Sequence, residues 1–180
     1  PSTLEVIDVQ NGSVIHRESV DGAITSLAVS ADSTRLAIGT TNVRVLDCAR
    51  WRFLKGAFKH PANVHSMRFS NSGTYLATAA RDAKARVFSL PPPSLGAAPT
   101  LDPNLVVGPL DHRPQVECPP VFVANGEGLI TATSRSQLKW TPLGNGPKPK
   151  WDVLPTGDSM LLGFTACLLY TSPSPRDSLS

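Results

Sequence analysis

The sequence predicts an all-β protein, and three observations lead to this prediction. Two segments 40 residues apart share one pattern, ITSLAVSADSTRLAIGT from Ile24 and VHSMRFSNSGTYLATAA from Val64. In each segment a run of alternating apolar and polar residues is followed by a polar turn and a second apolar run, as in a β-hairpin. A third strand follows each hairpin, in NVRVLD up to Asp47 and in KARVFSL up to Leu90.

The rest of the chain repeats this pattern less regularly. A third copy covers Val116 to Trp140, where Pro119 and Pro120 interrupt the first strand because proline has no amide hydrogen for a neighbouring strand. The opening segment LEVIDVQNGSVIHR predicts two strands joined by an Asn11-Gly12 turn. After the third copy, KWDVLP and DSMLLGFT predict a fourth strand and the first strand of another unit.

A four-stranded unit of about 40 residues resembles the WD-repeat family of β-propellers. The resemblance covers residues 4–166 and is best over residues 24–90. In that family a histidine precedes the first strand, a serine or threonine stands on the second, an aspartate in the next turn, and a tryptophan on the third. The matching positions here are His60, Thr78, Asp82, Phe88 (for tryptophan), His112, Trp140, and Asp47 (for the aspartate of the Trp-Asp pair).

The resemblance implies a propeller of four-stranded antiparallel blades that is incomplete within this chain. A blade buries its faces only against its neighbours, and rings have roughly 4–8 blades. We therefore expect the remaining blades to come from other parts of the same chain, the alternative being a ring completed by another chain. The expected units are a blade remnant at 1–19, blades at 20–59, 60–111 (with a proline-rich exposed insertion at 91–103) and 112–155, and the start of a further blade at 156–166.

The last segment, CLLYTSPSPRDSLS from Cys167 to Ser180, has no strand pattern. It resembles the translation of an adapter used in transposase-based sequencing libraries. We interpret residues 167–180 as an adapter-derived tail that is not native to the protein. On this interpretation its Ser-Pro pairs are not phosphorylation sites, and two cysteines remain, Cys48 and Cys118.

The composition is that of a soluble globular chain, with 41% hydrophobic residues, 17% charged residues and a net charge of +3. No apolar run approaches the roughly 20 residues that span a membrane. The three cysteines form no CxxC pair, which favours a reducing compartment, the cytoplasm with the nucleus as the alternative. The chain also lacks GxSxG, HExxH and glycine-rich phosphate-loop motifs, so we expect no enzyme activity, cofactor or metal.

These observations favour a non-catalytic scaffold that binds protein or peptide partners. In the family such partners contact loops before the first strand and after the second of each blade, and three arginines there predict an acidic or phosphorylated peptide. The residues expected at this surface are Asn63, His65, Arg81, Arg113 and Arg135.

Two alternatives remain open. One is electrostatic binding of nucleic acid or anionic lipid through the stretch Arg50 to Lys59, in which cations alternate with aromatic residues. We favour instead an outer fourth strand here, with Trp51 and Phe53 packed inward. The other alternative is a regulatory propeller fused to a catalytic domain outside this segment.

Overall fold

The computed structural model describes residues 1–92, 99–111, 119–123, 128–132, 137–143 and 153–155. These residues form fifteen strands, and none of them lies in a helix that could cross a membrane. Residues 112–118, with which the blade expected at 112–155 begins and which include His112 and Arg113, lie outside the described residues, as do Arg135, the expected blade start at 156–166 and the tail at 167–180. The strands are β1 (Ser2–Ile7), β2 (Val14–Val20), β3 (Ser26–Val29), β4 (Arg35–Gly39), β5 (Asn42–Asp47), β6 (Arg52–Phe53), β7 (Phe58–Lys59), β8 (Val64–Phe69), β9 (Tyr75–Ala80), β10 (Lys84–Ser89), β11 (Leu105–Asp111), β12 (Val121–Val123), β13 (Gly128–Ala132), β14 (Gln137–Pro142) and β15 (Val153–Pro155).

The strands make four antiparallel sheets in chain order. Sheet 1 is β1–β2, and sheet 2 is β3–β4–β5, with β6 and β7 both paired to β5. Sheet 3 is β8–β9–β10–β11, and sheet 4 is β12–β13–β14–β15. Strand β8 contacts both β3 and β12, so the first strands of sheets 2, 3 and 4 are neighbours, and we call them the inner strands. The all-β prediction is confirmed, and the sheets form an open stack.

Apolar clusters between the sheets hold this stack together. Leu4 of sheet 1 packs with Ile38 and Leu46 of sheet 2. On the other face of sheet 2, the ring of Phe58 stacks on that of Phe88 in sheet 3, with centroids 4.1 Å apart. A third cluster joins Ala77 and Val87 of sheet 3 to Leu129 of sheet 4. The clusters therefore place the core between sheets, as layered β-architectures require.

Burial explains the composition of the individual strands. Strand β9 is buried from Leu76 to Ala80 because sheet 3 is covered on both faces, and its alanines leave room for two neighbouring sheets. Strands β1 and β2 alternate instead, because only one face of sheet 1 packs on sheet 2. The opposite face of sheet 1 is exposed and carries an ion pair between Arg17 and Glu5, at 2.8 Å, beside the half-exposed Ile7 and Ile15.

Two expectations need correction in detail. The outer strand expected between residues 49 and 60 is split into β6 and β7, because a positive φ angle at Gly56 (91°) turns the chain between them. A second positive φ angle, at Trp51 (50°), lies in the turn that leads into β6. Part of the insertion expected to be exposed is buried instead. Leu101 lies in the cluster between sheets 2 and 3, and its amide donates to the carbonyl of Lys55 at 2.8 Å.

Candidate functional site

The imidazole of His60 lies between sheets 2 and 3. Its Nε2 is 2.9 Å from Oγ1 of Thr78 on β9, and its Nδ1 is 3.1 Å from the carbonyl oxygen of Phe58 on β7. A carbonyl can only accept a hydrogen bond, so Nδ1 carries the proton and Nε2 accepts from the Thr78 hydroxyl. The edge of the ring also meets the ring of Phe88. His60 thus links the end of sheet 2 to the middle of sheet 3.

The environment of His60 keeps its ring neutral. The pKa of His60 is lowered to about 4, chiefly by burial and to a smaller extent by the charge of Arg86. The hydrogen bond to the Phe58 carbonyl and the charge of Asp82 act in the opposite direction. A neutral imidazole with both nitrogens bound inside the protein serves packing and leaves neither nitrogen for a ligand.

Asp82 lies in the turn between β9 and β10 and pairs with Arg86. Both carboxylate oxygens accept from the guanidinium, at 3.2 and 2.5 Å, and both side chains are nearly buried. Burial by itself raises the pKa of Asp82, but the hydrogen bonds and charge of Arg86 lower it more. In the described contacts this carboxylate holds Arg86 and forms no hydrogen bond with His60. Sequence reasoning did not single out Arg86 as a partner of Asp82. The signal that could have found it is Arg44, which stands at the equivalent position of the third strand in the preceding repeat.

The other repeat positions also have structural contacts. Oδ1 of Asp47 accepts from the amides of Ala49 and Arg50 in the turn after β5, and Oδ2 pairs with the Arg50 guanidinium at 2.9 Å. Trp140 is buried on β14 against Gly128, where a Cβ atom would lie 2.6 Å from the indole nitrogen. Among the described residues, no three His, Cys, Asp or Glu side chains converge on a possible metal position.

Three of the expected partner-binding residues lie at one end of the inner strand β8. The amide of Arg81 donates to the carbonyl of Asn63 at 2.9 Å, so the segment before β8 meets the end of β9. His65 lies at a β-bulge and is half-buried. The amide of Val64 donates to Thr40 of sheet 2 at 2.8 Å, which places the turn after β4 at the same end. We call the surface formed by Asn63, His65 and Arg81, beside the buried Thr40, the loop-end surface.

The charge of Arg81 is not neutralised by its neighbours. Its side chain is exposed, and the adjacent Asp82 is occupied by Arg86. No carboxylate in the part of the chain that the structure describes pairs with the Arg81 guanidinium. The loop-end surface therefore presents a free cation beside the backbone and amide groups of Asn63.

The aromatic residues of the basic stretch are occupied within the fold. Trp51 stacks on His16 of sheet 1 with ring centroids 4.9 Å apart. The guanidinium of Arg44 lies 3.5 Å from the ring centroid of Phe53, and Phe58 is fully buried. These rings pack inward, as expected for an outer strand. The exposed cations of the stretch are Arg50, which pairs with Asp47, and Arg52, Lys55 and Lys59.

Comparison with known proteins identifies a repeat within this arrangement. The family model described as WD domain, G-beta repeat matches residues 52–89. This segment begins with β6 and β7 of sheet 2 and ends with β10 of sheet 3, so the sequence repeat straddles two sheets. No curated protein matches the chain in sequence.

Solved structures match the fold at low sequence identity. One is the crystal structure of the β-propeller domain of Cps50 (Swd1) from Myceliophteria thermophila, with a TM-score of 0.62 and 16% identity. The match covers 78% of this chain and 45% of that one, so the chain spans less than half of that propeller domain. In all, 917 chains match, and an arrangement this common does not by itself select a function.

Proposed function

The chain contains a WD40 repeat and has the fold of part of a β-propeller, and from this premise we propose that it is a non-catalytic scaffold that binds protein partners at the loop-end surface. WD40 propeller domains are typically non-catalytic scaffolds and generally bind proteins. We further propose that the remaining blades belong to the same chain, that the blade boundaries follow the units expected from the sequence, and that the protein works in the cytoplasm, with the nucleus as the alternative.

The observation that carries this proposal is the exposed Arg81 at the junction of two loops. Its backbone is fixed by the hydrogen bond to Asn63, so the side chain extends from a defined point of the surface. A guanidinium can form two parallel hydrogen bonds with a carboxylate or a phosphate. The favoured partner is therefore an acidic or phosphorylated peptide, with Arg113 and Arg135 as further expected contacts.

Charge reversal at this surface tests the proposal. Arg81→Glu and the double variant Arg81→Glu/Arg135→Glu should lose binding to acidic and phosphorylated peptides on an array, and should lose the corresponding proteins in a pull-down. Arg52→Glu is the matched control, because Arg52 is also an exposed arginine but lies on the outer strand β6. Retention of the same partners by the double variant and the control would contradict the proposal.

The polyanion alternative has less geometric support. Stacking of bases needs accessible aromatic rings, and those of Trp51, Phe53 and Phe58 are used in packing. Binding through the remaining cations would be purely electrostatic, and its affinity would fall steeply with salt concentration. Salt-dependent retention on a polyanion column, abolished in an Arg52→Glu/Lys59→Glu variant, would favour this alternative.

A further inference from the structure

A short segment, residues 99–101, joins the outer edges of sheets 2 and 3, and we call it the clamp. It lies between β10 and β11 of sheet 3 in the chain, yet its backbone pairs with sheet 2. The amide of Lys55 donates to the carbonyl of Pro99 at 3.0 Å, and the amide of Leu101 donates to the carbonyl of Lys55 at 2.8 Å. Thr100 is therefore paired with Lys55 as in a parallel ladder.

The break in the outer strand of sheet 2 makes this pairing possible. The amide of Leu54 donates to the carbonyl of Val45 on β5 at 2.8 Å. Because backbone groups alternate in direction along a strand, those of the next residue, Lys55, point away from β5. The turn at Gly56 then ends this stretch before β7 begins. The clamp thus uses a backbone site that β5 leaves unpaired.

The side chain of Leu101 anchors the clamp in the core. It is 3% exposed and lies in the apolar cluster between sheets 2 and 3, together with Phe58 of sheet 2 and Phe88 of sheet 3. Its neighbours Thr100 and Asp102 are exposed. Within the described residues, the clamp is therefore held by one buried leucine and two backbone hydrogen bonds.

A second set of contacts joins the same two sheets at their inner strands. The hydroxyls of Thr25 and Ser26 both donate to the carbonyl of Val64 on β8, each at 2.7 Å. The amide of Val64 donates to the carbonyl of Thr40 at 2.8 Å. Strands β3 and β8 form one edge of their sheets, and the clamp lies at the other edge of sheet 2. The two sheets are thus tied at two separate places.

We propose that the clamp is a releasable lock, which opens while the contacts at the inner strands stay closed. Sheets 2 and 3 then move apart at their outer edges, as on a hinge at β3 and β8. Segments held by few buried contacts open at a lower free energy than the whole fold, and the clamp is such a segment. It shares no residue with the loop-end surface, so the proposal does not rest on binding there.

Amide hydrogen exchange of the 180-residue chain, followed by NMR, tests the proposal. The amides of Lys55 and Leu101 should have equal protection factors, lower than that of the Val64 amide, because they open together and before the inner strands. Leu101→Ala removes most of the anchoring side chain, so it should speed exchange of the Lys55 amide roughly thirtyfold or more. Exchange of the Val64 amide should stay unchanged.

Val106→Ala is the matched control, because Val106 is a partly exposed apolar residue on β11, outside the clamp. It should alter neither rate. Circular dichroism shows whether each variant is folded, and Leu101→Val replaces Leu101→Ala if that variant is not. The comparison within the parent chain needs no variant: equal protection of Lys55 and Val64, or unequal protection of Lys55 and Leu101, overturns the proposal. Equal acceleration of Lys55 and Val64 by Leu101→Ala overturns it as well, because the sheets then separate only by unfolding.

Discussion

At the scale of single residues, His60 shows how one polar side chain joins two sheets. In the neutral ring, Nδ1 donates to the Phe58 carbonyl and Nε2 accepts from the Thr78 hydroxyl. The hydroxyl could also accept from a protonated ring, so it is burial, through the lowered pKa of His60, that favours the neutral form.

Removing the Thr78 hydroxyl tests this arrangement. The substitution Thr78→Val keeps the volume nearly constant but leaves the buried Nε2 of His60 without a donor. We expect the free energy of unfolding to fall by about 1–3 kcal/mol in urea denaturation. Thr3→Val is the control, because Thr3 is exposed on β1, and it should change stability little. Equal effects of the two substitutions would show that the hydrogen bond to His60 contributes nothing.

The pKa of His60 predicts how stability depends on pH. An ordinary histidine binds its proton near pH 6.5, whereas burial lowers the pKa of folded His60 to about 4. Between these values the unfolded chain holds more protons, so the free energy of unfolding falls as the pH falls. The loss is about 1.4 kcal/mol per pH unit and about 3 kcal/mol in total.

The variant His60→Gln removes this titration. Urea midpoints measured from pH 7 to pH 4 should depend on pH less steeply in the variant than in the parent chain. Below the ordinary carboxyl pKa of 3.8 a further loss is expected in both, because the pKa values of Asp32 and Asp82 are lowered in the folded state. Identical slopes above pH 4 would contradict the assignment to His60.

At the scale of the elements, neighbouring sheets approach closely where side chains are small. A Cβ atom on Gly39 of β4 would lie 2.3 Å from Oγ of Ser26 on β3. The same Ser26 hydroxyl donates to the carbonyl of Val64 on β8, at 2.7 Å. Glycine at position 39 therefore leaves room for a hydrogen bond that ties sheet 2 to sheet 3.

A double-mutant cycle tests this close approach. Gly39→Ala should reduce the free energy of unfolding by about 1–3 kcal/mol through overpacking. In a Ser26→Ala background the obstructing oxygen is gone, so the same substitution should cost less. Strict additivity of the two substitutions, measured by urea denaturation, would mean that Ser26 is not what the added methyl group meets.

At the scale of the whole molecule, each sheet depends on its neighbours for burial. Sheet 1 covers the face of sheet 2 that carries Ile38 and Leu46, and both of these side chains are almost fully buried there. Leu27 and Val29 lie on the same face of sheet 2, paired with Ile38 and Leu36, but remain exposed. A single sheet of this protein is thus not an independent folding unit.

Deletion of residues 1–20 tests this dependence. Without sheet 1 the cluster around Ile38 and Leu46 becomes accessible, so binding of a hydrophobic dye should increase. Amide hydrogen exchange in β4 and β5 should become faster. Val9→Ser, a substitution of a fully exposed residue in the turn after β1, should change neither measurement. Unchanged exchange after the deletion would refute the role of sheet 1.

The sequence alone was enough to predict the hairpins and the repeat. The 40-residue spacing and the alternation of apolar residues depend only on local strand geometry, and the strands at 26–39 and 64–80 lie where that pattern predicts. The inward packing of Trp51 and Phe53 also followed from alternation. The break between β6 and β7 did not, because it depends on positive φ angles at single residues.

Contacts between sheets were decided only by the tertiary structure. The burial of Leu101 between sheets 2 and 3 and the stacking of His16 on Trp51 join residues whose closeness depends on how the layers stack. The contact between β3 and β8 has the same origin, because these strands are about 40 residues apart in sequence and become neighbours only when the sheets stack. The sequence by itself therefore determined the unit that repeats, and the stacking of those units determined which surfaces can bind.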